Sequence, residues 1–107
     1  MKVLLLGLPV FLAASINVMA DEARGRAVYE HWCAHCHDEK PGAPGRLKLE
    51  WKRGLKNSVL TDRVDLASEY VTAVVRRGRA EMPSFRKTEI SDPDLEALAA
   101  YLAPNAQ

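Results

Sequence analysis

The 107-residue chain has little of several features that would place it in common protein classes. It contains only two cysteines, which excludes a framework of several disulfides. Its formal net charge is +1 at pH 7, without the strong basicity typical of nucleic-acid-binding proteins, so no nucleic-acid partner is expected. It also lacks internal repeats and any alternation of apolar and polar residues that would indicate a strand. These absences predict a small all-α domain.

Residues 1–20 have the composition of a secretory signal peptide. Lys2 provides positive charge, an apolar run follows at 3–14, and small residues end the segment at Ala20. The pattern predicts a mature domain at 21–107, a periplasmic location and no membrane span after cleavage. An uncleaved anchor is the alternative, but the apolar run is short and contains a proline.

Both cysteines lie in the most informative segment of the chain, which reads Cys-x-x-Cys-His. This spacing attaches a c-type haem. Cys33 and Cys36 are one helical turn apart, so each thiol can add to one vinyl group, and His37 then faces the iron as an axial ligand. The motif therefore predicts one covalent haem c, which would also supply apolar bulk to a small domain.

Met82 is predicted to be the second axial ligand of the iron. It is the sole methionine after residue 20, and Pro83 follows it in a segment without a helical pattern. Thioether ligation distinguishes electron-carrying haems from haems with an open iron site. His35 occupies a variable position within the motif and His31 lies on the helix before it, so neither can reach the far side of the iron. We expect both to face solvent or to support the ligands without binding the iron. The alternative for Met82 is a packing role in the core.

The second ring nitrogen of His37 needs a hydrogen-bond acceptor that orients the ring. Residues 40–45 read Lys-Pro-Gly-Ala-Pro-Gly, which predicts an irregular loop beside the motif. Pro44 is our first candidate for the backbone acceptor and Pro41 the second. Alternatively, these prolines only shape a surface turn.

Two helical patterns lie before and after this region. Residues 21–32 are predicted to form a helix, in which Gly25 marks a close approach of another backbone. A second helix is predicted to be capped by Asp65 or Ser68, to cover one side of the haem, and to end at Gly78.

The last helix is predicted to begin after Ser91, whose hydroxyl would cap it through Asp94 three positions on. Its apolar stripe is Leu95, Leu98, Ala99 and Leu102. Residues 47–60 show no clear periodicity, and we expect a loop with one short helix in which Trp51 is buried.

Taken together, these features resemble a class I monohaem cytochrome c. In that family the first and last helices cross at near right angles, a glycine permits their contact, and an aromatic residue from each helix packs there. The resemblance implies three to five short helices wrapped around one covalent haem, and residues 47–65 match no family motif. The residues that carry it outside the haem motif are Gly25, Tyr29, Met82, Pro83, Leu98, Tyr101 and Leu102.

The family resemblance implies an electron carrier and not an enzyme. Residues 75–102 are similar to the small cytochrome subunits of flavocytochrome dehydrogenases that act on alkylphenols, so a flavin- or quinone-cofactor dehydrogenase is the expected donor. An oxidase or another cytochrome is the expected acceptor. Both a free carrier and a permanently bound subunit stay open.

Basic residues near Met82 would steer an acidic partner, neutralise a propionate or simply be solvated; they are Arg76, Arg77, Arg79, Arg86 and Lys87.

A thiol oxidoreductase is the main rival from another class, because Trp32 and the two cysteines also match the Trp-Cys-x-x-Cys of thioredoxin-like enzymes. That fold needs strands on both sides of the motif, whereas a helical pattern precedes it here. Zinc binding is disfavoured because no second pair of ligands is present. A haem sensor or peroxidase would require Met82 to stay unbound.

Overall fold

A computed structural model describes residues 2–4, 6–7 and 11–104, without the side chains of 11–16. The described residues contain no strand, and an isolated bridge between Arg79 and Met82 is their sole β-type pairing. None of their helices is long and apolar enough to cross a membrane. The all-α prediction is confirmed. The helices are α1 (Phe11–Trp32), α2 (Ala34–His37), α3 (Pro44–Arg53), α4 (Ser68–Arg77) and α5 (Asp92–Leu102), with 3-10 turns at Leu55–Asn57 and Leu60–Asp62.

The contact between α1 and α5 is the most extensive between any two helices. A Cβ atom on Gly25 would lie 2.8 Å from both the Ala97 carbonyl carbon and Tyr101 Cβ. Packed atoms do not approach so closely, so the two backbones meet because residue 25 is glycine. One turn further along α1, the ring of Tyr29 packs against that of Tyr101 with centroids 5.8 Å apart. The predicted glycine and aromatic contact is confirmed.

The core extends from this contact to α4 and to the turn that precedes α5. The predicted stripe of α5 is buried throughout, with Leu98 fully enclosed. α4 contributes Val71 and Val75 from one face, at the four-residue spacing of an amphipathic helix. Further buried members of the same cluster are Val28, Cys33, Ala34, Leu66, Ile90 and Ala103.

The ends of α4 and α5 confirm two predictions and overturn one. Ser91 Oγ accepts a hydrogen bond from the Asp94 N–H at 3.2 Å, so the predicted cap of α5 is present. α4 ends at Gly78, whose φ of +73° suits glycine. Neither Asp65 nor Ser68 caps α4, because Ser68 is already the first helical residue and Ala67 precedes it.

α1 begins ten positions before the predicted start at residue 21. No glycine or proline interrupts residues 11–24, so the helical conformation can extend through them. Residues 17–24 are exposed and contribute nothing to the core. Positions 1, 5 and 8–10 of the predicted signal peptide lie outside the described residues, and cleavage after Ala20 stays a prediction.

α3 replaces most of the predicted irregular region. The loop after α2 ends at residue 43 instead of 45, because Pro44 occupies the first turn of α3, where its missing N–H costs no hydrogen bond. The predicted burial of Trp51 is wrong, since this side chain is 79% exposed. Trp51 lies two positions from Leu49, which faces the interior, and a two-residue step along a helix reaches nearly the opposite side.

Candidate cofactor site

A cavity of about 380 Å³ opens between α2, α3, α4 and the segment that joins α4 to α5. It brings together every side chain predicted to bind the haem or its iron. Residues from the start and from the end of the domain meet there, although 45 positions separate His37 from Met82 in the sequence. The predicted site residues that border it are Cys33, Cys36, His37, Pro44 and Met82.

The walls of the cavity are largely apolar. Trp32 at the end of α1 packs edge-on against Phe85, with ring centroids 5.7 Å apart, and so joins the first helix to the segment after α4. Leu66, Val71 and Leu98 add aliphatic surface. Such a lining excludes water and favours a large flat apolar group.

The Cys-x-x-Cys-His motif forms a single tight turn. The N–H groups of Cys36 and His37 both donate to the Cys33 carbonyl, at 3.1 and 3.0 Å. Both cysteines are free thiols. Burial, with a smaller effect of Cys36, raises the pKa of Cys33 to about 11. A redox-active thiol needs a lowered pKa, and no strand flanks the motif among the described residues, so the thioredoxin-like alternative is disfavoured.

The imidazole of His37 lies in a buried environment that favours its neutral form. Burial lowers its pKa below the ordinary value, and neutral imidazole is the form that binds a metal. Its Nδ1 atom is buried without a hydrogen-bond partner in the described part of the chain. The predicted bond to the carbonyl of Pro44, or of Pro41, is therefore not formed. Pro44 begins α3, where its carbonyl is directed along the helix axis.

Gly45 holds the ring of His37 from the side of α3. A Cβ atom at this position would lie 2.8 Å from Cε1 and 2.9 Å from Nδ1 of the imidazole. The ring thus rests directly on the backbone of the first turn of α3. Sequence reasoning missed this role, although the Pro-Gly pair that contains Gly45 was a visible signal of close packing.

Met82 lies in a short, well-defined turn at the opposite wall. Arg79 and Met82 exchange two backbone hydrogen bonds of 3.0 and 2.9 Å, and Ala80 between them has the left-handed φ of +52°. Phe85 donates from its N–H to an α4 carbonyl at 2.8 Å. The thioether is half-buried and packs against the core. Both ends of the turn are therefore held by backbone contacts.

Arg63 is a cavity residue that sequence reasoning missed. Its side chain is 5% exposed and forms a bidentate pair with Asp65, with nitrogen to oxygen distances of 2.9 and 2.8 Å. The hydrogen bond from Arg63 lowers the pKa of Asp65. A buried guanidinium at an apolar cavity suits a ligand that carries carboxylates. No spacing in the sequence distinguishes this arginine from exposed ones.

The basic residues near Met82 have mainly structural partners. Arg76 donates to two backbone carbonyls at 2.9 and 3.3 Å and pairs with Asp92 at 2.7 Å, which fastens the segment after α4 to both neighbouring helices. Arg79 donates to the Tyr70 hydroxyl at 2.8 Å. Lys87 pairs with the same Asp92 at 3.1 Å.

Other groups do not form a competing site. His31 and His35 are exposed, as predicted. The described residues contain no group of three or more His, Cys, Asp or Glu side chains that would hold a bare metal ion. A more open groove of about 770 Å³ lies between α4 and α5, but none of the predicted ligands borders it.

The residues of the smaller cavity fit a c-type haem. Two thiols, one neutral imidazole and one thioether surround an apolar space, and a buried guanidinium faces the same space. This donor set matches the ligands that proteins use for low-spin haem iron.

Comparison with known proteins agrees with this chemistry. A family described as cytochrome C oxidase, cbb3-type, subunit III matches residues 20–102. Cytochrome c6 of Leptolyngbya boryana is 32% identical over 88 residues, which cover 82% of this chain and 96% of that protein. The 4-cresol dehydrogenase [hydroxylating] cytochrome c subunit of Pseudomonas putida is 32% identical over 102 residues, covering 90% of this chain and 78% of the relative. No solved structure matches the chain.

Proposed function

Since the chain belongs to the class I cytochrome c family and is an electron carrier and not an enzyme, we propose that it holds one haem c covalently through Cys33 and Cys36. His37 and Met82 are the axial ligands in this proposal. The observation that carries it is the convergence of all four side chains on one apolar cavity. When bound, the haem supplies an iron that alternates between the ferrous and ferric states.

The protein contributes ligation, exclusion of water and charge compensation. Burial raises the pKa of Cys33, which disfavours thiol exchange and leaves the thiol available for a thioether bond. The thioether of Met82 and the imidazole of His37 would both hold the iron, and two protein ligands would leave it closed to external substrates, as in an electron carrier and unlike an oxygen-binding haem. Arg63 would donate a hydrogen bond to a haem carboxylate from its Nη1 group, since Asp65 accepts from Nε and Nη2.

We assign residues 1–20 to a signal peptide and residues 21–107 to the mature periplasmic domain. The composition of the segment supports this assignment. Residues 17–20 are exposed, so their removal uncovers none of the core described for the domain.

The proposed donor is a dehydrogenase with a flavin or quinone cofactor, and the proposed acceptor is an oxidase or another cytochrome. The similarity to the cytochrome c subunit of a 4-cresol dehydrogenase supports a dehydrogenase donor. It also favours a second candidate function, a cytochrome permanently bound to such an enzyme. Purification from the native periplasm distinguishes the two, because a bound subunit would bring a flavoprotein or quinoprotein with it.

Substitution of the proposed sixth ligand tests the function. We expect Met82→Ala to keep its covalent haem but to lose the weak near-infrared band of methionine-ligated ferric iron. Val74→Ala, at another half-buried cavity position, is the matched control and keeps the band. An unchanged spectrum in Met82→Ala would contradict the proposed ligation. Loss of covalent haem in Cys33→Ala and Cys36→Ala together tests the attachment.

A further inference from the structure

The region of α3 carries a concentration of positive charge, part of it at the rim of the cofactor cavity. Residues 44–56 contain five basic side chains and one acidic one, a net charge of +4 in a chain of +1. Two of the basic side chains pair with Glu50 and Glu81, at 3.2 and 3.9 Å. Among the described residues, the remaining three are exposed and form no ion pair: Lys52, Arg53 and Lys56.

An exposed tryptophan lies among these charges. Trp51 is 79% exposed, and Leu47 one turn before it is 46% exposed. Lys48 Nζ lies 5.4 Å from the centroid of the Trp51 ring, within cation–π range. Leu55 follows at 69% exposure. We call the surface formed by Leu47, Trp51, Lys52, Leu55 and Lys56 the α3 face.

The α3 face lies close to the cofactor cavity. Gly45, Lys48, Leu49, Lys52 and Arg53 border the cavity from α3, whereas Trp51 does not, so Lys52 lies where the face meets the rim of the cavity. An α-helix with its side chains is about 10 Å across, so a protein seated on the outer side of α3 comes within roughly that distance of the cavity. Electron transfer slows steeply with distance, and a docking surface at this position keeps the separation small.

We propose that the α3 face is the docking surface for a redox partner protein with an acidic surface. The inference rests on the proposed electron-transfer function and names the chemistry of its partner. Unpaired cations accelerate encounter with an acidic protein, and an exposed tryptophan is the residue type that most often anchors such contacts. Basic and apolar side chains share this face, as in a protein interface, whereas a helix lying in a membrane separates them onto two sides.

The experiment measures reduction of the ferric holoprotein by reduced flavodoxin, a small acidic flavoprotein, in a stopped-flow instrument over a range of ionic strengths. Lys56→Glu is compared with Arg86→Glu, which makes the same charge change at an exposed position in the segment after α4. Trp51→Ala is compared with Val64→Ala, which shortens another exposed apolar side chain of 77% exposure. Ascorbate, a small reductant that needs no docking surface, is the reference for all four variants.

We expect Lys56→Glu to lower the second-order rate constant about threefold to tenfold at low ionic strength and to weaken its salt dependence. Trp51→Ala should raise the half-saturating flavodoxin concentration about fivefold to thirtyfold. Val64→Ala should react like the wild type, Arg86→Glu should lower the rate constant by less than Lys56→Glu does, and ascorbate should reduce every variant at one rate.

Wild-type behaviour of Trp51→Ala and Lys56→Glu, or equal effects in their controls, would overturn the inference. Co-sedimentation with phosphatidylglycerol vesicles that depends on Trp51, without any effect on flavodoxin, would also overturn it and would assign the face to a membrane. If the purified protein shows no haem spectrum, or if ascorbate does not reduce it, the proposed function itself is overturned before the docking surface is tested.

Discussion

Replacement of Gly25 by alanine tests the packing of the domain, because close packing and helix preference predict opposite signs for the change in the free energy of unfolding. Elsewhere in a helix, this change would stabilise the protein by about 1 kcal/mol, because alanine is the better helix former. Here the new Cβ atom would meet the Ala97 carbonyl oxygen, and it would lie 2.8 Å from Tyr101 Cβ. The Ala97 atoms are backbone, so α5 must move as a unit. Overpacking costs about 3 kcal/mol at the upper end of its usual range.

The net expectation for Gly25→Ala is a loss of about 2 kcal/mol in the free energy of unfolding, since the helix preference offsets part of the clash. For a domain of this size, the loss corresponds to a fall in melting temperature of about 8–16 °C. Thermal unfolding of the holoprotein, followed by circular dichroism, measures it. Ala27→Gly on the exposed side of α1 is the control, because it measures the free-energy difference between alanine and glycine in this helix without any contact with α5. A higher melting temperature in Gly25→Ala would refute the close contact between α1 and α5.

Three further changes test local features. Ser91→Ala removes the hydroxyl that caps α5 and should lower the free energy of unfolding by about 1 kcal/mol, whereas Ser91→Asp should retain it; equal melting temperatures for wild type and Ser91→Ala would deny the cap a role. Because Arg63 lowers the pKa of Asp65, the pair stabilises the fold above the ordinary carboxyl pKa of about 4, and this stabilisation is lost as the pH falls through the lowered value. Unfolding curves of wild type and Asp65→Asn should therefore differ at about pH 7 and converge near about pH 2, and a gap independent of pH would contradict the pairing. Gly45→Ala places a Cβ atom against the ring of His37 and the Cys36 carbonyl oxygen, so the electron paramagnetic resonance spectrum of the ferric haem should change without haem loss; an unaltered spectrum would show that the added methyl group does not displace the ring.

Features that depend on neighbouring residues were predictable from the sequence. The hydroxyl of Ser91 reaches an N–H group three residues away, and Gly78 ends a helix because its own backbone adopts a positive φ. The contact at Gly25 was predictable for a related reason, since glycine within a helical pattern is costly unless another backbone approaches it.

The errors arose where distant parts of the chain decide the outcome. α3 has charged residues on nearly every side, so its sequence does not indicate which side is buried. Other helices build the cavity wall against which α3 packs, and the side of Leu49 faces this wall while Trp51 stays in solvent. Arg63 is buried because it lies in the wall of a cavity built from several segments of the chain, and no spacing of residues near Arg63 in the sequence predicts that position. For Pro44, the proline signal was read as a loop although the same residue is favourable at the first position of a helix.

The contact between α1 and α5 joins the beginning of the domain to its end, so everything between the two helices forms one long closed loop. The entropy lost on closing such a loop grows only with the logarithm of its length, and even a doubling costs about 0.6 kcal/mol. Residues inserted at the exposed positions 54–56, between α3 and α4, would therefore add little to the free energy of closure. A chain organised in this way tolerates several additional residues in its middle more readily than one additional methyl group at Gly25.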